Sequence, residues 1–346
     1  MLNHVKNIGW IACLSRLALV GALLGLGWSA TAHADESPAA AEPSAKPVVI
    51  QISATASTTQ AGPVVLAYKF QPGQFVHYTV TSRVQYNSQV EDKALVNAVQ
   101  TFTSVQSNDT WTHFRVVTVD EQGLALIEPV IDRTRMTAKL HNKEPVKFDS
   151  ANPEDTQPEF RSIREAVGRS VARFQVSPTG KLVKAVVIDP TAPQDMREAA
   201  EKLDTRFPYL SPLPAAPVSV GDKWREEYDI TIINNGLKEP IRMRRVFELA
   251  AVADGIATIK FRTIVMRPLN EPELEKQIIQ QTPTGSIEFH LERGLVLSYT
   301  SNINSTVINA FGQQSLLNVT GTSTEKLATV EGIGDPAPKP AVVTLP

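Results

Sequence analysis

The chain has 346 residues, with 34 Lys and Arg against 36 Asp and Glu, a net charge of −2 and one cysteine, Cys13. That balance argues against nucleic acid as a main partner, which would favour a basic face, and a lone cysteine excludes a disulfide framework. The length suffices for one large or two small domains with a core of their own.

Residues 1–34 read as a cleaved export signal. Lys6 and Arg16 supply the positive region and Leu17 to Trp28 the apolar run; Ala32-His33-Ala34 then sets alanines at the two positions signal peptidase reads. The run is about a dozen residues, short of the ~20 that span a bilayer. A retained anchor from Ile8 to Ala30 is the rival reading, and it would bury Arg16 in lipid. Cys13 precedes the apolar run, the wrong order for a lipidated cysteine. Cleavage removes Cys13, Lys6 and Arg16, so the charge moves from −2 to −4. The mature chain then carries no thiol and no transmembrane segment, and its expected place is the periplasm or the outside of the cell. Residues 35–62, rich in Ala, Pro, Ser and Thr, read as a disordered tether, and 330–346 as a disordered tail.

From residue 63 onward the dominant period is two. Val76, Tyr78, Val80, Val84 and Tyr86 alternate with His77, Thr79, Thr81 and Arg83 after Pro72-Gly73, the pattern of a half-buried strand. Phe114 to Val119, a turn at Asp120 to Gly123 and a return from Leu124 to Val130 predict a hairpin. Val171 to Val176, Ser177-Pro178-Thr179-Gly180 and Leu182 to Ile188 predict another. Pro158 to Val167 reads as a short helix. A second helix is expected from Gln194 to Arg206, with Thr191 as its N-cap, Met196, Ala199, Ala200, Leu203 and Phe207 on one face, and Pro208 as its stop. These elements fill a first half, 63–207, and a proline-rich connector follows at 208–219.

The second half, 220–329, repeats the order. Trp224, Tyr228, Ile230 and Ile232 mark a strand. Met243 to Ala251 turns at Ala253-Asp254-Gly255 and returns to Met266. Glu288 to Leu291 turns at Glu292-Arg293-Gly294 and returns to Tyr299. Ser301 to Ala310 and Gln313 to Leu327 then pivot on Phe311-Gly312. Gly73 with Tyr78 corresponds to Gly221 with Tyr228, Gly123 to Gly255, and Phe174 with Gly180 to Phe289 with Gly294. This order predicts an internal duplication.

Tyr68-Lys69-Phe70-Gln71-Pro72-Gly73-Gln74, Phe207-Pro208-Tyr209-Leu210, Pro217 to Trp224, Gly285 to Phe289 and Arg293 to Val296 together resemble an uncharacterised family of secreted bacterial proteins, a domain of unknown function. The resemblance runs from about Tyr68 to Leu327. It implies an exported β-rich fold and no established activity, cofactor or catalytic residue. The chain departs from the acidic residue expected before the last hairpin turn, where His290 stands beside Phe289.

No local pattern designates a catalytic, cofactor-binding or metal-ligating residue. The histidines outside the leader, His77, His113, His141 and His290, show no zinc spacing. His77 and His113 belong to polar strand faces, and only folding can decide whether such distant histidines converge. Gly168-Arg169-Ser170-Val171-Ala172 lacks the second glycine and the following helix of a nucleophile elbow. Glu226-Glu227 and Asp120-Glu121 are adjacent carboxylates, which point to opposite faces of a strand and cannot flank one bond. Arg242, Arg244 and Arg245 form a basic cluster, with Arg242 and Arg244 on one face; it is expected to pair with carboxylates across the sheet, and holding an anionic headgroup is the alternative. Asn108, Asn304 and Asn318 open glycosylation-type triplets that such strands contain by chance.

The fold expected is mostly β: antiparallel curved sheets in two related, duplicated halves, with one or two short capping helices. A concave apolar face implies a non-enzymatic module binding a lipid, another apolar molecule or an envelope protein, without a cofactor, and the helix from Gln194 would be its lid. A structural or assembly role in the envelope is the alternative. A hydrolase whose site is built from separate strands is a more distant one.

Overall fold

The structure, a computed structural model, describes residues 62–91, 99–201, 203, 207, 209–234 and 236–331. The expected export signal, the tether as far as residue 61 and the tail beyond residue 331 lie outside the described residues.

Among the described residues, twelve strands and three short helices follow one another as β1 (Phe75–Glu91), β2 (Val99–Val119), β3 (Ala125–Lys139), β4 (Val146–Asp149), α1 (Arg161–Ala166), β5 (Ala172–Val176), β6 (Leu182–Val187), α2 (Gln194–Glu201), β7 (Lys223–Asn234), β8 (Leu237–Ala253), β9 (Ile256–Val265), α3 (Pro272–Ile278), β10 (Thr284–His290), β11 (Leu295–Ile308) and β12 (Leu316–Glu331). The sheet runs β6-β5-β3-β2-β1-β12-β11-β10-β9-β8-β7, with β4 beside β3. The mostly antiparallel β fold read from the sequence is therefore present, and the two halves share one open sheet. The seam is β12, which pairs with β11 on one side and with β1 on the other, from Phe75↔Glu331 to Gln89↔Leu316. Both flanks run through a three-stranded meander, a helical segment and then a hairpin, with β4 added before α1 in the first. The glycines paired in the sequence all take positive φ at equivalent turns: Gly73 and Gly221, Gly123 and Gly255, Gly180 and Gly294.

The period of two decides which face is buried. Val76, Tyr78, Val80, Val84 and Tyr86 of β1 are buried, while the residues between them are exposed or half-buried. That inner face is also concave, as Tyr68 and Lys69 show. Tyr68 N–H donates to Pro178 O in the β5–β6 turn at 2.8 Å, and its ring packs edge-on against Phe289 of β10 at 5.6 Å. In a flat sheet β5 and β10 would stand six strand spacings apart, about 29 Å. Lys69 N–H reaches Gly294 O in the β10–β11 turn at 3.3 Å. The end carrying these turns, hereafter the lower end, is curled around residues 64–70 and 207–218.

The main core fills this curl. Val64, Leu66, Tyr68 and Phe70 from one strap and Phe207, Leu210, Leu213 and Val218 from the other pack with Phe114, Phe174, Phe247, Phe261 and Phe289 of the strands. The straps bond each other antiparallel at Val64 and Val218, and Trp224 Nε1–H donates to Pro212 O at 3.0 Å. The segment expected as a connector thus works as an internal filler. At the exposed edge, β7 carries Lys223, Arg225, Glu227 and Asp229, charges that oppose edge-to-edge pairing.

Several expectations need correction. α2 begins at Gln194, and Thr191 does not cap it; its hydroxyl donates to Asp189 at 2.7 Å and accepts from Arg169. Short polar side chains bond locally wherever a partner is near, which is why a capping pattern misleads. α2 packs against β6, at the edge of the sheet, with Ala200 in the main core. The expected continuation of α2 to Arg206 lies in part outside the described residues. The stretches read as Leu295 to Tyr299 and Ser301 to Ala310 form one strand, β11.

Candidate functional site

The inner face changes character from the lower end to the upper. Above the aromatic core comes a buried polar belt that includes Thr110, Thr134, Arg245, Thr263, Ser301, Ser323 and Glu325. Arg245 lies 5.8 Å from the ring centre of Tyr228 and 5.5 Å from that of Phe261, and donates from Nε to Thr263 Oγ1 at 3.1 Å. Glu226 Oε2 stands 4.0 Å from its Nη1. The other two arginines of the cluster are outside. Arg244 bonds Glu227 at 2.7 Å, and Arg242 reaches Glu227 and Asp229. Hydrogen bonding from Arg244, then from Arg242, holds the Glu227 carboxyl below its ordinary range. Glu226 and Glu227 thus face opposite ways, as adjacent strand residues must.

Beyond the belt the inner face is apolar again and is covered by α3. Val84, Tyr86, Ile303, Val307, Leu317 and Val319 pack with Ile279, while Ile232, Ile241 and Met243 pack with Leu274 and Ile278. Polar side chains anchor this cover at few places. Gln277 exchanges bonds with the Ile233 backbone, at 2.9 Å from its N–H and 2.7 Å to its carbonyl. Gln280 Nε2–H donates to the Tyr86 hydroxyl at 2.6 Å. Lys276 sits 4.9 Å above the Phe311 ring. α3 was not foreseen, although its signals are in the sequence: Pro272 in the first turn, Glu273 and Glu275 beside it, and Leu274 and Ile278 four residues apart.

The outer face brings two histidines together. His77 of β1 and His113 of β2 are directly opposed in register, with ring centres 5.1 Å apart. Asp132 of β3 reaches the same place because it is the extra residue of a β-bulge. Trp111 pairs with Arg133 and Thr112 with Ile131, so Asp132 has no cross-strand partner and its carboxylate is re-aimed. Its Oδ1 lies 2.7 Å from His113 Nδ1. A second bulge, in β12, falls beside His77, whose Nε2 is 3.6 Å from Glu331 Oε1. That nitrogen is shielded from solvent and makes no hydrogen bond. Burial, and then the neighbouring His113, lower the pKa of His77, against the opposite pull of Glu331 and Asp132. A neutral imidazole offers one lone pair, so the arrangement can hold a Lewis acid.

The other residues singled out in the sequence are structural. Asp120 accepts from the N–H groups of Gln122 and Leu124 and closes its turn. Ser170 leads into β5, and Arg169 beside it pairs with Asp189. His290 Nδ1 accepts from Arg293 N–H across the turn at 3.3 Å, and His141 packs on Phe102. A shallow pocket of about 340 Å³ on the lower flank is lined by residues of β2, β3, β5 and β6, including Leu126, Arg173, Lys184 and Val186.

The architecture defines an open, all-antiparallel β-sheet protein. No protein-family model and no curated protein matches the chain. Among solved structures it is similar to lipovitellin, in a structure concerned with lipid–protein interactions, at 10% identity and a TM-score of 0.41, covering 78% of this chain and 26% of that one. This chain therefore spans about a quarter of that protein's length. Among the described residues no helix is long and apolar enough to cross a membrane.

Proposed function

We propose that this protein is exported and acts as a non-enzymatic binding or carrier module for an apolar ligand, held on the upper inner face beneath α3. The observation that carries the reading is the composition of that end. Two apolar clusters lie under a seven-residue helix held by few polar anchors. Two large apolar side chains are exposed beside this cover: Leu237, which shares the face of Ile241 and Met243, and Phe311, which lies against Lys276 of α3. Exposed apolar side chains concentrated in one region mark a place where something apolar docks. A short element with so few anchors can open locally while the lower core stays folded. Displacing α3 would turn two covered clusters into an open apolar trough on the inner face. Export is supported by the sequence of residues 1–34, and the matching connection order of the two flanks supports an internal duplication.

Native mass spectrometry of the protein purified from its own envelope fraction, with solvent extraction of what it carries, tests the reading. An extra mass that extracts as lipid or another apolar molecule is expected, and Leu274→Asp should lose it while far-ultraviolet circular dichroism keeps the sheet signal. A bare protein mass, or a stoichiometric protein partner without extractable ligand, would count against the carrier role and favour an assembly factor.

A further inference from the structure

A second feature lies on the opposite face of the sheet and is independent of the apolar trough. His77, His113 and Asp132 each offer one ligand atom, and these atoms all lie within 4.8 Å of one another. Three strands supply them, and Glu331 of a fourth strand, β12, stands at the edge of the group. We propose that these residues form a binding site for a divalent first-row transition ion of the zinc type, with His77 and His113 as nitrogen ligands, Asp132 as oxygen ligand and Glu331 completing or orienting the set.

Three observations support it independently. Two imidazoles and a carboxylate are the mixed nitrogen–oxygen set that suits zinc, nickel or copper, whereas magnesium and calcium prefer oxygen alone. His77 Nε2 is a buried nitrogen without a hydrogen bond, and such an atom calls for an explanation of which a bound ion is one. The bulge at Asp132 disrupts ladder pairing there while turning a carboxylate onto His113. Metal–ligand bonds of about 2.0–2.2 Å put neighbouring ligand atoms roughly 3–3.5 Å apart, and the strands already hold the residues in adjacent register. Asp132 has a second possible part: by accepting from His113 Nδ1–H it would leave the Nε2 lone pair for the metal, the usual arrangement of a ligating histidine. In either part it fixes the ring.

Isothermal titration of the purified, chelator-treated full chain with zinc chloride tests the site, with calcium chloride as control. One zinc ion per chain is expected, with no comparable heat from calcium. His77→Ala and His113→Ala should each weaken zinc binding at least ~10-fold, and Asp132→Asn, at an exposed position, by roughly 10-fold or more. Zinc should also raise the melting temperature of the wild type and leave that of His77→Ala/His113→Ala unchanged. Asp132→Asn keeps both imidazoles and guards against misfolding of the histidine variants. Absence of zinc binding in the wild type would overturn the proposal. So would unchanged binding in the double variant, which would move the ion to another site such as His141 or His290.

Discussion

At the residue scale, partners decide what a polar side chain does. Tyr68 is buried in the aromatic core, yet its hydroxyl donates to Ser211 O at 3.0 Å and accepts from Ser211 N–H at 2.9 Å, so one phenol ties the two straps together. Asp149 ends β4 and receives Arg133 from Nε at 3.0 Å and from Nη2 at 2.6 Å. Arg133 is the main reason its pKa falls from 3.8 to about 2, with the Ala151 N–H and Arg135 contributing. A carboxyl depressed on folding stabilises the fold above its unfolded pKa, and that contribution disappears as pH drops from about 4 through about 2. The Asp149 side chain is 25% exposed, so solvent screening reduces its worth to roughly 1–2 kcal/mol. Asp149→Asn should cost that much at pH 6, and in urea unfolding curves the difference from wild type should shrink to roughly a third of that by pH 2.5 and vanish only below about pH 2.

At the element scale, close packing explains residues that the sequence shows only as motifs. Gly285 opens β10 between Phe261 of β9 and Ser301 of β11. Phe261 stacks on Tyr299 at 5.1 Å, and a Cβ on residue 285 would stand 1.9 Å from Thr300 O and 2.7 Å from the Phe261 ring. Gly285→Ala should therefore destabilise by about 2–3 kcal/mol, read as a lower denaturant midpoint at unchanged slope. The helices divide in a similar way. α2 shows a clear apolar face because it packs against the edge and the main core. α3 buries two apolar residues in seven, too few for a periodic pattern, and escaped notice despite its proline and acidic first turn. The upper parts of β2 and β3 were missed for a related reason. In Gln100 to Asp109 the only apolar residues are Phe102 and Val105, three apart, so no period-two hydrophobic signal arises.

At the scale of the whole molecule, a single sheet with a shared core should unfold as one unit. β12 pairs with β1 along nearly its whole length and with β11 from Leu316 to Lys326, and the main core draws on both flanks and both straps. Calorimetry should show one transition, with calorimetric and van 't Hoff enthalpies in agreement. Two resolved transitions would mean that the flanks fold separately and that the seam is weak.

Strand period and turn residues alone specify the β class, the inward residues of β1, and the hairpin turns at Gly123, Gly180, Gly255 and Gly294. These are local properties: strand period, turn chemistry and left-handed glycines act over a few residues. Tertiary structure alone decided that the halves join through β12, that both straps fill the curl, and that α3 covers the upper inner face. It also decided that His77, His113 and Asp132 meet. His77 and His113 are 36 positions apart in the chain and face each other only because register is fixed by pairing over the whole strand. Asp132 joins them through a bulge, which depends on how β3 adjusts to β2 and leaves no mark in the periodicity of either strand.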